Sequence, residues 1–296
     1  MGKVTVVGSA AMDLTVHVHK RPAAGETVIG SRLYLSPGGK GANQAVAAAR
    51  LGAETFFVGC IGKDGYGEMI RRNLLSQGVD VSWLEDTDAC GSGTAHITLS
   101  EADGDNSIVV IQGANALVNP DLVRRAAARL KESDVVLIQN EIPADAIDSV
   151  LDCCRTCGVK TILNPAPAGG LAPETLLKAT WVIPNEHELH AWFPEQNLED
   201  VLKAYPGKVI VTLGEQGAVY WEKDAVVRIP SYKVEAIDTT GAGDTFVGAL
   251  GAALSEGQPI KEALRFANAA AALSVQQLGA QGGMPVREEV EQLLKG

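Results

Sequence analysis

A glycine-rich turn that ends in an aspartate lies at residues 238–254, in the sequence DTTGAGDTFVGALGAAL. Gly241, Ala242 and Gly243 carry little or no side chain, so a ligand can approach their backbone N–H groups. The apolar run that follows predicts a helix, and the N-terminus of a helix attracts anions. Asp244 would repel a bound phosphate unless it had another task, such as taking the proton of an attacking hydroxyl. The turn therefore predicts phosphoryl transfer with Asp244 as the base.

A plain helix cap is the alternative role for Asp244, since Asp is common at helix N-termini. A second cluster of small and polar residues favours the chemical role. It lies in SPGGKGANQAVAAARLGAETFFVGCIG, residues 36–62, where Gly39, Lys40 and Asn43 stand at the start of another predicted helix. Polar groups on a flexible turn suit a polyhydroxylated ligand. The alternative for this stretch is an ordinary loop between a strand and a helix.

Other short motifs indicate no separate chemistry. No GxxxxGK[ST] occurs, and VVGSAAMD lacks the GxGxxG of a dinucleotide-binding turn. The CxxC spacing in LDCCRTCGVK has no second pair elsewhere, so a helix before a strand is the better interpretation than a metal or redox site. His187 and His190 lie outside any HExxH pattern and are typical of a surface helix.

Short β-branched runs alternate with helical runs along the chain, which predicts βαβ units. The fold class expected is α/β, with a doubly wound, mostly parallel sheet flanked by helices. Residues 14–36 and 92–112 instead alternate apolar and polar residues around turns, which predicts antiparallel ribbons that form a small β lid. The predicted kinase core is then residues 1–13, 37–91 and 113–296. Four of the core runs predicted as strands followed by helices are DVVLIQ, VKTILN, TWVIPN and KVIVTLG.

Composition limits the class of protein. The 296 residues are 46% hydrophobic, enough for a substantial core. A formal net charge of −11 without a basic run argues against a nucleic acid or an anionic membrane as partner. No apolar stretch is long enough for a membrane span and the five cysteines are odd in number, so we expect a cytoplasmic protein with reduced thiols. The apolar face of the lid ribbons predicts a homodimer that pairs through the lid.

The chain resembles the PfkB, or ribokinase, family of carbohydrate kinases. Residues 39–62 match the first signature of that family and residues 238–250 match the second. The resemblance continues through GSAAMD, AGET, GKDGYG, NPAPA, PNEHE, TLGEQG, FANAAAA and GAQ. It implies ATP-dependent phosphorylation of the terminal hydroxyl of a sugar, D-ribose giving ribose 5-phosphate. It also implies Mg²⁺ and activation by K⁺ or a similar ion.

The resemblance further implies a role for each matching residue. Asp244 is expected to be the catalytic base, with Gly241, Ala242 and Gly243 as the anion hole. Glu188 is expected to reach Mg²⁺ through water. The expected sugar contacts are Asp13, Gly39, Lys40, Asn43, Glu141 and Asp244. The expected nucleotide contacts are Asn185, Thr212, Gly214, Gly217, Gly243 and Asn268. The expected monovalent-cation site comprises Asp238, Thr240, Ser274, Gln277, Gly279 and Gly283.

One position departs from the family pattern. The family's first strand usually ends in GSxNxD, with the Asn contacting the sugar, whereas position 11 here is alanine. A methyl group forms no hydrogen bond, so 2-deoxyribose becomes an alternative substrate, unless water or a lid residue replaces the amide. Another pentose, a ketose or a nucleoside is also an alternative substrate. A catalytically silent sugar-binding regulator and an NAD-linked dehydrogenase are the alternatives from other classes.

Overall fold

The computed structural model describes residues 1–102 and 104–295. Strands and helices alternate along most of the chain. The strands are β1 (Lys3–Val7), β2 (Ala11–Val18), β3 (Gly30–Gly38), β4 (Glu54–Gly62), β5 (Asp80–Thr87), β6 (Gly93–Ser100), β7 (Asn106–Ile111), β8 (Val135–Gln139), β9 (Lys160–Asn164), β10 (Trp181–Val182), β11 (Ile210–Thr212), β12 (Ala218–Glu222) and β13 (Ala225–Ile229). The helices are α1 (Lys40–Arg50), α2 (Gly65–Ser76), α3 (Pro120–Arg125), α4 (Ala127–Lys131), α5 (Ala144–Cys157), α6 (Pro173–Leu176), α7 (Glu186–Trp192), α8 (Leu198–Ala204), α9 (Ala242–Ser255), α10 (Ile260–Ser274) and α11 (Arg287–Lys295).

The central sheet contains six parallel strands in the order β10-β9-β8-β1-β4-β5. Its inner strands are buried on both faces; β8, with the sequence VVLIQ, is buried along its whole length. Such continuous apolar runs are typical of parallel sheets covered by helices on both sides. The predicted α/β fold with a doubly wound parallel sheet is therefore confirmed.

Helix α9 lies against both α1 and α10 on one face of this sheet. Two glycines allow the close approach. A Cβ on Gly248 would lie 2.6 Å from the Cβ of Ala47, and a Cβ on Gly251 would lie 2.9 Å from a methyl group of Leu137. The small-residue run of the sequence thus brings the start of α9 against the start of α1, where both glycine clusters lie.

Strands β3-β2-β6-β7 form a separate four-stranded sheet. The pairs β2–β3 and β6–β7 are antiparallel, as predicted for the two ribbons. The ribbons join through β2 and β6, which pair in parallel, a connection that alternation within each ribbon does not reveal. The sheet begins at Ala11 and the third strand ends at Gly38, so it extends slightly beyond the predicted bounds of 14 and 36.

A third sheet, β11-β12-β13, is antiparallel and corrects one prediction. KVIVTLG was predicted to be a strand followed by a helix. Its strand β11 is instead followed by a single 3-10 turn, Gly214–Gln216, and by β12. Only isolated parallel bridges, such as that between Asn185 and Thr212, link it to the main sheet. Within the described residues no helix has the length and apolar character needed to cross a membrane.

Candidate active site

Asp244 lies in the first turn of α9, and its side chain does not cap that helix. The N-cap residue is Gly241, which adopts a left-handed conformation with φ of 78°, and no side chain caps the helix. The Asp244 carboxylate instead accepts hydrogen bonds from helix α1. Asn43 Nδ2 donates to Oδ2 at 3.0 Å and Gln44 Nε2 donates to Oδ1 at 3.1 Å. The alternative that Asp244 serves only as a helix cap is therefore not supported.

The two glycines of the predicted anion hole have different structural roles. A Cβ on Gly241 would lie 2.8 Å from the backbone Cα of Ala280, so this position has no room for a side chain. A Cβ on Gly243 would meet nothing within 4 Å. Gly243 therefore leaves open space at the N-terminus of a 14-residue helix, where backbone N–H groups and the helix dipole favour an anion.

A pocket of about 230 Å³ opens in front of Asp244. It unites residues that the sequence places far apart, because strand ends and helix starts meet at this edge of the sheet. Its polar wall contains a lysine, two acidic groups and several amides and hydroxyls, which suits a polar, anionic ligand. The lining residues are Lys40, Asn164, Ala166, Ile183, Asn185, Glu188, Thr212, Thr239, Gly241, Gly243, Asp244 and Val247.

Acidic groups cluster at the sugar end of the predicted site. Burial, and then the negative charges of Glu141 and Asp244, raise the pKa of Asp13 to about 6. The same charges act in the opposite sense on Lys40. Asp244 most of all, followed by Glu141 and Glu188, raises the pKa of Lys40 against the lowering effect of burial. Lys40 is therefore held charged beside the predicted base.

Glu141 is held by one group after β1 and one at the start of α1. Ser9 Oγ donates to Glu141 Oε2 at 2.5 Å, and the backbone N–H of Lys40 donates to the same oxygen at 2.9 Å. Gly39, the N-cap of α1, has φ of 86°, and a Cβ there would lie 2.8 Å from the backbone nitrogen of Ala11. One Glu141 oxygen thus fixes the Gly39–Lys40 turn, and Ser9 is a residue that the sequence analysis missed.

Asn185 and Glu188 form a reciprocal capping box at the start of α7. Asn185 Oδ1 accepts from the backbone N–H of Glu188 at 2.8 Å, and Glu188 Oε2 accepts from the backbone N–H of Asn185 at 2.9 Å. Burial raises the pKa of Glu188, an effect that the Asn185 hydrogen bond and Lys40 oppose. The capping box orients both side chains at the pocket; their predicted roles in binding phosphate and magnesium stay predictions.

The remaining predicted nucleotide residues lie on the three-stranded sheet and α10. Thr212 lines the pocket. Gly214 and Gly217 have positive φ, and a Cβ on Gly217 would lie 2.1 Å from the carbonyl oxygen of Ile229. Asn268 is buried away from the pocket, and its Nδ2 donates to the carbonyl oxygens of Ile229 and Pro230. Asn268 therefore supports the loop after β13, and its contact with a nucleotide remains a prediction.

The residues predicted to hold a monovalent cation meet beside the anion hole. Asp238 accepts hydrogen bonds from the backbone N–H groups of Thr240 at 2.9 Å and Gly279 at 2.8 Å. Burial raises the pKa of Asp238, but its hydrogen bonds lower the pKa by more, so the net shift is downward. A Cβ on Gly283 would lie 2.0 Å from the Ser274 carbonyl oxygen and 3.5 Å from that of Gln277. These carbonyls and Asp238 are oxygen donors of the kind that alkali cations prefer.

Five buried side chains with amides support the site and were not predicted. Gln44, next to the predicted Asn43, bonds Asp244; Gln139 bonds Gln44. Four of them stand at a predicted helix start, at a strand end or in a quoted motif, whereas no sequence feature points to Asn115. These residues are Gln44, Asn115, Gln139, Asn164 and Gln281.

Comparison with known proteins identifies the family. Residues 1–287 match the pfkB family of carbohydrate kinases. The chain belongs to that family. A ribokinase from Bacillus subtilis is 52% identical over 294 residues, which cover 99% of this chain and 100% of the relative. The resemblance to ribokinases is therefore confirmed.

Two further relatives bear on the substrate. The structure of Arabidopsis thaliana ribokinase complexed with ribose and ATP has a TM-score of 0.90 and 34% identity, covering 100% of this chain and 99% of the other. A deoxyribokinase from Salmonella typhi is 32% identical over 301 residues, covering 98% of each chain. The regulatory and dehydrogenase alternatives find no support in these relatives, and the higher identity to ribokinase favours ribose over 2-deoxyribose.

Proposed function

We propose that this carbohydrate kinase transfers the terminal phosphoryl group of ATP to the 5-hydroxyl of D-ribose. The observation that carries the proposal is the position of Asp244 at the open N-terminus of α9. Its carboxylate is held by two amide donors, and the open space at Gly243 lies in the same pocket wall. A base and an anion-binding helix end in one pocket are the two parts that phosphoryl transfer to an alcohol requires.

In this mechanism the sugar lies between Asp13 and Asp244. Asp13 and Glu141 accept hydrogen bonds from hydroxyls, while Lys40 and Asn43 donate to the sugar oxygens. Asp244 accepts the proton of the terminal hydroxyl as its oxygen attacks the phosphorus atom. The N–H groups of Gly241, Ala242 and Gly243 stabilise the negative charge of the transferred group. Lys40, charged beside Asp244, adds a fixed positive charge to the pocket.

The residues present fit both metal ions that we propose. Magnesium, when bound, neutralises phosphate charge, and a water-mediated contact with Glu188 suits its preference for retained waters. Within the described residues no group of three His, Cys, Asp or Glu side chains is placed to hold a metal directly. For potassium, the closely spaced Ser274 and Gln277 carbonyls lie beside the Gly279–Asp238 hydrogen bond, next to the anion hole.

We also propose that the four-stranded sheet is a lid over the sugar. Its strand β2 carries Asp13, so the sheet is continuous with the sugar site. Strand β7 is exposed along its length and presents the apolar run Ile108–Ile111 on a sheet edge. An exposed apolar edge strand favours pairing with another chain, here a second copy that forms a homodimer. Light scattering on the wild type and on Val109→Glu tests this: a dimeric wild type and a monomeric variant are expected, and a monomeric wild type contradicts it.

We infer a cytoplasmic location from the donor and the thiols. ATP is the phosphoryl donor, and all five cysteines are free. To test the inference, the protein is purified without reductant, denatured and then alkylated. We expect all five cysteines to be modified. A disulfide found in that material contradicts it.

The second candidate substrate is 2-deoxyribose, because position 11 is a buried alanine at the start of β2. ADP release with ATP, magnesium and potassium, measured for ribose, 2-deoxyribose, fructose and adenosine, separates the candidates. We expect kcat/KM for ribose to exceed that for 2-deoxyribose by about a hundredfold, or about 2.7 kcal/mol. Equal values, or a higher value for another sugar, would replace ribose as the substrate while leaving the kinase assignment intact.

A further inference from the structure

Two chains of side-chain amides end on the two oxygens of Asp244. On one side Gln139 Nε2 donates to Gln44 Oε1 at 2.6 Å, and Gln44 Nε2 donates to Asp244 Oδ1 at 3.1 Å. On the other side Gln281 Nε2 donates to Asn43 Oδ1 at 2.9 Å, and Asn43 Nδ2 donates to Asp244 Oδ2 at 3.0 Å. The predicted base is therefore fixed at both oxygens.

The direction of the first chain follows from the charge of Asp244. An ionised carboxylate only accepts hydrogen bonds, so Gln44 must turn its NH₂ group toward Asp244. Its carbonyl oxygen then faces Gln139, which must in turn present its own NH₂ group. Gln44 Nε2 also donates to Asn164 Oδ1 at 3.2 Å, so both acceptors lie on the same side of the Gln44 amide. Every link in this chain is thus oriented toward the acceptor oxygen of Asp244.

Gln44 and Gln139 are both fully buried, with no solvent exposure. Because no part of either side chain is exposed, substrate contact does not explain two polar side chains in this core. Gln139 even leaves its Oε1 without a hydrogen-bond partner among the described residues, an arrangement that costs stability. A Cβ on Gly8 would lie 2.0 Å from that oxygen, so the glycine provides the space that Gln139 occupies.

We infer that Gln44 is a positioning residue for Asp244, and that Gln139 fixes the orientation of Gln44. Gln44 aims one carboxylate oxygen and stabilises its charge, which leaves Asp244 ready to accept a proton. The inference rests on the proposed role of Asp244 as the base. It assigns a function to a glutamine that is fully buried behind the predicted base.

Gln44→Met tests the inference, since methionine has a similar size but donates no hydrogen bond. Without this donor, Oδ1 of Asp244 is no longer fixed in position, so transfer of the hydroxyl proton to it becomes slower. We expect kcat to fall about tenfold. KM for sugar and for ATP should stay within about threefold, because the binding groups are retained. Gln258→Met is the control, since Gln258 follows α9 at the end of that helix opposite to Asp244.

Gln139→Met provides a second test that leaves both Asp244 and Gln44 in place. Gln44 is then free to turn its carbonyl oxygen toward Asp244, so a smaller change of the same kind is expected. If Gln44→Met does not fold, the kcat and KM values of Gln139→Met alone test the inference. A kcat equal to that of the wild type in a folded variant overturns the inference.

Asp244→Asn, assayed in parallel, separates the role of Gln44 as a positioning residue from the role of Asp244 as the base. An inactive Asp244→Asn together with wild-type behaviour of Gln44→Met contradicts only the role of Gln44. An active Asp244→Asn contradicts the proposed base itself. In an Asp244→Asn background, Gln44→Met should cause no further loss of kcat, because the residue acts through the carboxylate.

Discussion

The hydroxyl of Ser9 donates a 2.5 Å hydrogen bond to the carboxylate of Glu141 and so ties the end of β1 to the segment after β8. The same carboxylate oxygen holds the backbone of Lys40. Ser9→Ala removes one of these two anchors of the predicted sugar-binding turn. A hydrogen bond to a charged group contributes about 1.5–3 kcal/mol. We expect KM for the sugar to rise about tenfold with kcat within about threefold, measured by steady-state kinetics.

Ser133→Ala is the control for that prediction, because Ser133 bonds Thr5, the middle residue of β1, in a buried contact. It should lower stability without changing KM for the sugar. If the two variants behave alike, the Ser9–Glu141 bond is structural only.

The raised pKa of Asp13 predicts a pH-dependent affinity for the sugar. With a pKa of about 6, Asp13 is ionised and accepts hydroxyl hydrogen bonds above that pH, and becomes protonated below it. KM for the sugar should therefore rise as the pH falls from about 7 to about 5. Asp13→Asn, which does not titrate, should have a weaker affinity whose remaining pH dependence is small. A wild-type KM that is constant over this range contradicts the prediction.

The raised pKa of Asp13 also makes the free energy of unfolding depend on pH. The folded pKa of Asp13 lies above its unfolded value of 3.8, so keeping Asp13 ionised in the fold costs free energy at pH above about 6. The cost decreases as the pH falls below about 6 and vanishes below 3.8, where Asp13 is protonated in both the folded and the unfolded state. Asp13→Asn should thus raise the free energy of unfolding by about 2–3 kcal/mol at pH 7.5 and by less at pH 5, as urea titrations would show. An equal change at both values would exclude the ionisation of Asp13 as the cause.

The fold was largely predictable because it depends on local patterns. Apolar runs separated by helical segments predicted the parallel sheet, and glycine-rich turns predicted the start of α1 and of α9. The parallel join between β2 and β6 depends on the pairing of distant segments, which has no local pattern. The antiparallel hairpin of β11 and β12 is local, and its glycine-containing turn was wrongly interpreted as the start of a helix. Strand pairing between distant segments is decided by burial and packing of the whole chain.

The reactive residues of the site were predictable from the sequence, but the buried side chains that hold them in place were not. Asp244 and Lys40 stand in conspicuous glycine clusters. Gln139, by contrast, is the last residue of an apolar strand, and only the structure shows that it meets Gln44 from 95 positions away. Ser9 likewise reaches Glu141 across 132 positions. Such contacts follow from the sheet order, which sequence patterns indicate only in outline.

Ala11→Asn should make the enzyme more selective for ribose over 2-deoxyribose. Ala11 and Asp13 lie two residues apart on the same face of β2, so an amide at position 11 can reach a sugar held at Asp13. One added hydrogen bond is worth about 1 kcal/mol or more, so the ratio of kcat/KM values should rise about tenfold. Ala11→Val, similarly larger but apolar, is the control. A ratio unchanged in Ala11→Asn would mean that position 11 does not contact the sugar.

Potassium should activate the enzyme through the carbonyl oxygens beside the anion hole. Gly283→Ala places a Cβ 2.0 Å from the Ser274 carbonyl oxygen and so distorts this cluster. Activity titrated with KCl at constant ionic strength should rise in the wild type and respond weakly in the variant. Choline chloride, too large for the site, should not activate. Equal rates in choline and in potassium would contradict the cation site.

The role of Asp244 as the base is the central claim, and Asp244→Asn tests it most directly. Asparagine keeps the shape and the contact region of Asp244 but cannot accept the hydroxyl proton. Single-turnover transfer from ATP to ribose should fall by at least about a hundredfold, the usual contribution of a general base. Equilibrium binding of both substrates should change little. Transfer at a near wild-type rate in a variant that binds both substrates would contradict the account.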